Sequence, residues 1–221
     1  MPSLTITVAQ TLSISISLIA AGGIATLSIF DVPELQAQPA DRALPATRWL
    51  SSRGSHIFPQ ASVLSTAGFA YLAYDALPPK TRTITQLLKT TNGFKVNAYL
   101  AAALLAFSIG PWTARVMIPN NFALIKKNED LGGSRSAKSA EEERRQGIKP
   151  GQRSAQDSVD SKGSASELRD LSGPTTKTQK SSSEAEDSEV RDMLAKFGRQ
   201  NLVRAFLLGG GGIVGLLAAL A

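Results

Sequence analysis

Long runs of apolar residues alternate with polar stretches along the chain. The apolar runs cover residues 5–30, 57–77, 96–118 and 202–221. An α-helix needs about 20 apolar residues to cross the hydrocarbon of a bilayer, and each run is long enough. The pattern therefore predicts an all-α fold, a four-helix transmembrane bundle with both ends of the chain on one side of the membrane.

The run over residues 57–77 is the weakest of the four, because it also carries Gln60, Asp75 and several hydroxyl side chains. A buried helix of a soluble protein would fit this composition as well. The run ends at Pro78 and Pro79, which do not continue a helix. The apolar runs on either side of it favour a membrane span.

The first run has a second interpretation, which is a cleaved signal peptide. Such a peptide starts with positively charged residues, whereas residues 1–10 contain neither Lys nor Arg, and its apolar core is usually shorter. The pattern favours a retained helix. The polar residues 31–56 that follow contain Pro33, Pro39 and Pro45, and they predict a loop with a short helix near residues 46–52.

Charged residues are concentrated between the third and fourth runs. Residues 126–199 hold 14 of the 18 acidic and 15 of the 24 basic side chains, together with many serines. A stretch without hydrophobic periodicity does not bury enough apolar area to offset the entropy lost on ordering. Residues 127–190 are therefore predicted to form a largely disordered polar loop. More Lys and Arg flank the spans on the side of this loop, which predicts that the loop is cytoplasmic.

The remaining composition excludes several classes of function. The chain has no Cys and a single His, so it offers no disulfide, no thiolate ligand and no histidine cluster for a metal ion. The net charge of +6 is small and arises from mixed signs, which is not the pattern of a nucleic-acid-binding protein. No phosphate-binding or dinucleotide-binding loop motif occurs.

Polar side chains collect where the third run ends and the fourth begins. The third run ends near Arg115 and Asn121, with Trp112 three residues before Arg115. The fourth begins with Asn201 and Arg204, which share one helix face. Alternating connectivity brings these ends to the same membrane surface, where two guanidinium groups would repel each other unless an oxygen-rich or anionic ligand lay between them. The alternative is that both arginines extend to the lipid headgroups.

His56 is the candidate general base, because histidine is the side chain that most readily exchanges a proton near neutral pH. It stands just before the second run, at the same predicted surface as the two arginines. Its other interpretation is an exposed polar residue at a helix start. Asp75 is a reserve base, although the predicted topology puts it at the opposite surface.

Two further patterns concern the depth and packing of the predicted helices. Five aromatic side chains lie mostly near the ends of the runs, as is typical of an interfacial aromatic belt, with stacking on a ligand as the alternative: Trp49, Tyr71, Tyr74, Tyr99 and Trp112. Gly211 and Gly215 are four residues apart, a spacing that lets another helix approach closely.

In their order along the chain, these motifs resemble those of the fungal anthrone oxygenases, a branch of a wider family of small four-helix membrane proteins. The similar stretches are the turn at residues 111–113, the element at residues 119–121, and the pair Asn201 and Arg204. The segments "RSAQDSVDSKG" and "LRDLSGP" of the polar loop are also similar. One departure is Trp112, where the family more commonly has Phe.

The resemblance implies an enzyme of polyketide biosynthesis that oxidises an anthrone to an anthraquinone with O2 as co-substrate. It implies that no metal, flavin or haem is needed. For this reaction our hypothesis assigns His56 as the base. The residues expected to bind the substrate are Trp112, Arg115, Asn121, Asn201 and Arg204. The expected location is the endoplasmic reticulum membrane, as a multi-pass protein.

The expected partners follow from the same resemblance. They are the lipid bilayer, the planar anthrone, and a polyketide synthase or thioesterase that delivers it, with no nucleic acid. The glycines of the last run would also permit a homo-oligomer. A function of a different class remains open, namely a non-catalytic carrier or scaffold for a lipophilic metabolite, because its pocket would contain the same residues.

Overall fold

Four long helices dominate the computed structural model, which describes residues 3–89, 91–160 and 170–221. They are α1 (Leu4–Gln36), α2 (Ala40–Asp75), α3 (Phe94–Asp130) and α4 (Glu184–Leu220). Both α1 and α3 contain one π-helical turn, at Leu27–Asp31 and Thr113–Met117 respectively. Shorter helical segments occur at Pro79–Thr81, Ile84–Leu87, Ala137–Arg145 and Ala155–Val159. No strand occurs in the described ranges, so the predicted all-α class is confirmed.

Three of the long helices are long and apolar enough to cross a membrane: α1, α3 and α4. They contain the predicted spans over residues 5–30, 96–118 and 202–221. Most of the predicted span over residues 57–77 lies in α2, which is not among these three because polar residues such as Gln60 and Ser62 interrupt its apolar C-terminal half. A membrane protein is therefore supported, whereas the count of four spans is not confirmed.

The prediction of a loop over residues 31–56 is wrong, because α2 begins at Ala40 and continues through Pro45 and Pro59. A proline inside a helix leaves the carbonyl four residues earlier without its usual N–H donor. For Pro45 that carbonyl belongs to Asp41, and it accepts a hydrogen bond of 2.8 Å from the main-chain N–H of Thr178. A distant segment therefore satisfies the group that the proline leaves open.

The chain divides into two compact units, and each of the four long helices contributes to both. The first unit comprises Met1–Thr26, Phe58–Ala114 and Asn201–Ala221. Its interior is apolar, with Ile24, Phe69 and Leu208 fully buried. Large apolar side chains also cover its outside; Phe206 is 77 % exposed and Ile19 is 76 % exposed. Such a surface suits contact with lipid rather than with water.

Helix α4 packs within the first unit through its glycines. A Cβ atom added to Gly211 would lie 3.0 Å from a main-chain oxygen of α3, and one on Gly212 would lie 2.7 Å from Leu18 of α1. A Cβ atom on Gly215 would overlap the ring of Phe69 in α2. The small residues therefore allow close helix packing inside this one chain, as their spacing indicates.

The second unit comprises Leu27–Ile57 and Arg115–Gln200, and it contains most of the predicted disordered loop. That loop is not confirmed as disordered, because its described residues fold around buried charged groups. Residues 161–169 of it lie outside the described residues. Glu143 is one such centre: its carboxylate accepts hydrogen bonds from Ser139 (3.1 Å) and Ser134 (2.5 Å) and pairs with Arg153 (2.5 Å).

Asp170 forms a second buried centre in this unit. Its carboxylate accepts hydrogen bonds from the Ser136 hydroxyl and from the Ser172 hydroxyl (2.7 Å) and N–H (3.0 Å), and Arg135 lies 3.8 Å away. Burial alone would raise the pKa of Asp170, but these hydrogen bonds and the charge of Arg135 outweigh burial and lower the pKa below its ordinary value. Charge-assisted hydrogen bonds thus stabilise this part of the second unit, where burial of apolar area does not.

Candidate functional site

A buried guanidinium lies near the start of the apolar part of α4. Arg204 is 8 % exposed, and its Nη1 donates a hydrogen bond of 3.0 Å to Oδ1 of Asn201, which is fully buried. The two residues are three apart, so the helix places them one above the other on one face. The guanidinium carbon lies 5.6 Å from the ring centroid of Phe58. Arg204 is therefore held between an amide and an aromatic face, in a cation–π arrangement.

No carboxylate of the described residues pairs with Arg204. Its Nε is buried and has no hydrogen-bond partner. The neighbouring interior is apolar and includes Ile24, Ile109 and Leu208. A buried cation is costly unless it is paired, and a guanidinium binds oxygen anions strongly in such surroundings. This position suits an oxygen-rich ligand, as the sequence pattern predicts.

The other predicted site residues are distributed between the two units. Trp112 is half-buried at the end of the α-helical part of α3, in the same unit as Asn201 and Arg204. His56, Arg115 and Asn121 belong to the second unit. A hydrogen bond thus connects Asn201 to Arg204. A common pocket formed by all six predicted site residues stays a prediction.

Within the second unit these three residues differ in exposure. His56 is half-buried and lies inside α2. The interpretation as an exposed residue requires a position at a helix start, which His56 does not have. Arg115 is exposed. Asn121 is half-buried, and its Oδ1 is fully buried with no hydrogen-bond partner, so this oxygen is an acceptor still available for a donor.

Arg115 lies in the π-helical turn of α3, Thr113–Met117. Such turns are uncommon and occur frequently at functional sites. Here the following helical turn contains Pro119, which supplies no N–H. The carbonyl of Val116 accepts a hydrogen bond of 2.9 Å from Nε2 of Gln200, and Asn120 donates one of 3.1 Å to the carbonyl of Met193. Side-chain amides therefore bind α3 to α4 at this irregular turn.

A cavity of about 670 Å³ lies in the first unit, where α1 and α3 begin and where α2 and α4 end. Arg204 lies at the other end of this unit, near the start of the apolar part of α4. Five polar side chains line the cavity, namely Ser3, Gln10, Asp75, Lys95 and Tyr99. Of these, the sequence singled out Asp75, which here forms a salt bridge of 3.2 Å with Arg82.

Tyr99 does not belong to an aromatic belt, although its sequence position predicts one. It is 1 % exposed, and its hydroxyl oxygen accepts a hydrogen bond of 2.7 Å from Nε2 of Gln10. Tyr71 and Tyr74 are exposed, at 44 % and 36 %, as a belt requires. The sequence does contain a signal that Tyr99 is buried. Tyr99 lies one helical turn before Ala102 and Ala103 and two turns before Ala106, and these alanines mark a buried helix face.

Comparison with known families gives a match over part of the chain. Residues 48–153 match the family model described as anthrone oxygenase. The matched stretch includes His56, Trp112, Arg115 and Asn121, whereas Asn201 and Arg204 lie beyond it. No curated protein and no solved structure matches the chain.

Proposed function

We propose that the chain is a membrane-bound oxygenase that converts an anthrone to an anthraquinone, because residues 48–153 match the family model described as anthrone oxygenase. The reaction consumes one O2 and releases one water. We place it in polyketide biosynthesis and in the endoplasmic reticulum membrane. The three apolar helices long enough to cross a membrane support a membrane location.

The chemistry starts at the anthrone methylene, which two aryl rings flank and which is conjugated to the ketone. Loss of a proton from this carbon gives a delocalised anion whose charge lies largely on the ketone oxygen. The anion transfers one electron to O2, and the two radicals combine to form a hydroperoxide after protonation. Loss of water from the hydroperoxide gives the second ketone. The substrate itself supplies the electrons, so the proposed steps require no redox cofactor.

The observation that carries the proposal is the buried, unpaired guanidinium of Arg204. A substrate oxygen that becomes an oxyanion would bind more tightly than the neutral ketone, because Arg204 has no carboxylate partner among the described residues. Donors that act on developing negative charge typically contribute about 10²–10³ each in rate. Asn201 orients the guanidinium through its Oδ1. Phe58 offers an aromatic face beside it.

The remaining roles rest on the sequence pattern. His56 is proposed as the base that removes the methylene proton, a role worth about 10²–10⁴ in rate. Trp112, Arg115 and Asn121 are proposed to contact the planar substrate. A polyketide synthase or thioesterase is the proposed source of that substrate.

A second function of a different class is the binding and carriage of a lipophilic metabolite without chemistry. The cavity of about 670 Å³ favours it, because this volume is in the range of small-molecule sites. A carrier would bind the anthrone and release it unchanged. The two functions therefore differ in turnover and not in binding.

The test is the aerobic conversion of emodin anthrone to emodin by membranes that contain the chain, with membranes from empty-vector cells as the blank. The blank is needed because anthrones oxidise slowly on their own. We expect an enzymatic rate above the blank that survives a metal chelator. Absence of any such excess, with protein correctly inserted in the membrane, would reject the oxygenase and favour the carrier.

Arg204→Gln tests the residue that carries the proposal. We expect this variant to lose about 10² in kcat/KM or more at an equal membrane level. The matched control is Arg199→Gln, because Arg199 is an exposed arginine of the same helix and should tolerate the change. Full activity of Arg204→Gln would refute its role, and full activity of His56→Ala would refute that of His56.

A further inference from the structure

The cavity of the first unit is separate from Arg204 and has its own donors. Its walls are largely apolar, with Ile6, Leu72 and Leu220 among them. Its polar side chains are few and come from α1, α2, α3 and Ser3, which precedes α1. A concave apolar site with a small number of polar groups is the usual form of a small-molecule site.

The hydroxyl of Tyr99 lines this cavity and has a hydrogen that is not used. The hydroxyl oxygen accepts the hydrogen bond from Gln10, so its own O–H does not point along that bond. No acceptor among the described residues takes this hydrogen. Because Tyr99 is 1 % exposed, the O–H cannot be satisfied by open solvent and is available to a ligand oxygen.

Lys95 adds a positive charge to the same walls. It is half-buried and lines the cavity, and no carboxylate of the described residues pairs with it. The nearby carboxylate of Asp75 is already paired with Arg82 at 3.2 Å. Among the residues that the structure describes, the cavity therefore combines the ammonium of Lys95, which has no carboxylate partner, with the unused hydrogen of the Tyr99 hydroxyl and an apolar wall.

We infer that this cavity is a binding site for an apolar molecule with an acidic oxygen, a phenolate or a carboxylate, held by Lys95 and Tyr99. The ammonium of Lys95 neutralises the charge, and the Tyr99 hydroxyl donates to the same group. The phosphate of an anionic lipid offers the same chemistry. The site is distinct from the proposed catalytic centre and depends on the proposed function only for the choice of probe.

The test measures equilibrium binding of emodin, which has acidic hydroxyl groups, to the full chain in phosphatidylcholine nanodiscs. The comparison probe is emodin trimethyl ether, which has the same rings and no acidic hydroxyl. Variants Tyr99→Phe and Lys95→Gln are compared with Lys89→Gln, which removes an exposed lysine outside the cavity. Each variant is also combined with Arg204→Gln and measured again, so that any binding of emodin at Arg204 is removed from the result.

We expect Tyr99→Phe and Lys95→Gln each to raise the Kd for emodin about tenfold, since each removes a bond to a charged group. Lys89→Gln should leave the Kd unchanged, and the trimethyl ether should bind weakly and equally to every variant. Tyr99→Phe retains the ring and so retains the packing around it. An unchanged Kd for emodin in both cavity variants would overturn the inference.

Two further readouts separate the outcomes. Competition by added phosphatidylglycerol would identify lipid phosphate as one source of the anion, and its absence would identify the free acid; both results support the site. A chain that oxidises emodin anthrone yet binds emodin equally in both variants refutes the cavity and keeps the proposed function. A chain that binds emodin through Tyr99 and Lys95 without any turnover supports the cavity site and refutes the proposed function.

Discussion

Gly215 shows how tightly one residue position is constrained in the first unit. The ring of Phe69 occupies the space that a Cβ atom would need, and Phe69 is fully buried, so it has little room to move. The sequence indicates close packing from the spacing of Gly211 and Gly215. It does not indicate which helix approaches, since any small residue would give the same pattern.

Gly215→Ala is expected to destabilise the first unit by about 1–3 kcal/mol, because overpacking forces buried neighbours to shift. The measurement is thermal unfolding of the purified chain in detergent. Gly22→Ala is the matched control, since Gly22 lies within α1 and a Cβ atom there would meet nothing within 4 Å. Equal melting temperatures for the two variants would contradict the packing described at Gly215.

At the scale of elements, the three apolar helices were predictable and the N-terminal half of α2 was not. Hydropathy alone places the apolar segments of α1, α3 and α4, because a segment that faces lipid must be apolar. Proline rules end a helix near Pro45, and they fail because Thr178 satisfies the open carbonyl of Asp41. Local sequence does not contain that contact, and residues far along the chain decide where α2 begins.

The start of α2 is capped by the same distant part of the chain. The N–H of Ala40 donates a hydrogen bond of 2.6 Å to the carboxylate of Asp187, and the N–H of Asp41 donates one of 3.2 Å to the Ser182 hydroxyl. First-turn N–H groups have no partner inside their own helix. Asp187 therefore acts as a cap supplied from α4.

Asp187→Ala is expected to cost about 0.5–2 kcal/mol, as the loss of a helix cap does. The readout is limited proteolysis of the second unit, followed by identification of the first cleavage sites. We expect faster cleavage near residues 37–41. Asp192→Ala is the control, because Asp192 is exposed on the same helix, and cleavage as fast in this control would argue against capping.

At the scale of the whole chain, the candidate site was predicted in part and the folded polar unit was not. The pairing of Asn201 with Arg204 follows from helical spacing, whereas the cavity at Tyr99 needs four helices to be placed first. The prediction of disorder over residues 127–190 rests on the small apolar area that these residues can bury. Buried carboxylates such as Glu143 and Asp170, each with several donors, stabilise the described residues instead.

Acid should loosen the second unit through Asp170. The pKa of Asp170 is lower in the folded chain than its ordinary value of 3.8, so its ionised form stabilises the fold above about pH 4. This contribution is lost as the pH falls from about 4 through the lower folded pKa. Asp170→Asn should lose it at neutral pH and show a weaker dependence on acid.

The check is chemical or thermal unfolding of the full chain between pH 3 and 7, followed by protease sensitivity of residues 131–160. Asp160→Asn is the control, because Asp160 is exposed and its carboxylate bonds only to Gln156 among the described residues. Identical acid profiles for Asp170→Asn and the unchanged chain would show that Asp170 does not set the response.

The second unit is built from two stretches of chain that the ribosome releases at different times. Arg48 and Asp41 emerge early, but their partners Ser158 and Lys177 follow only after two apolar segments have been synthesised. Until then the polar half of α2 has neither its cap nor its buried bonds. This unit therefore completes its folding late in synthesis, and a chain truncated before residue 158 would reach cellular quality control with the buried Arg48 lacking its acceptors on Ser158.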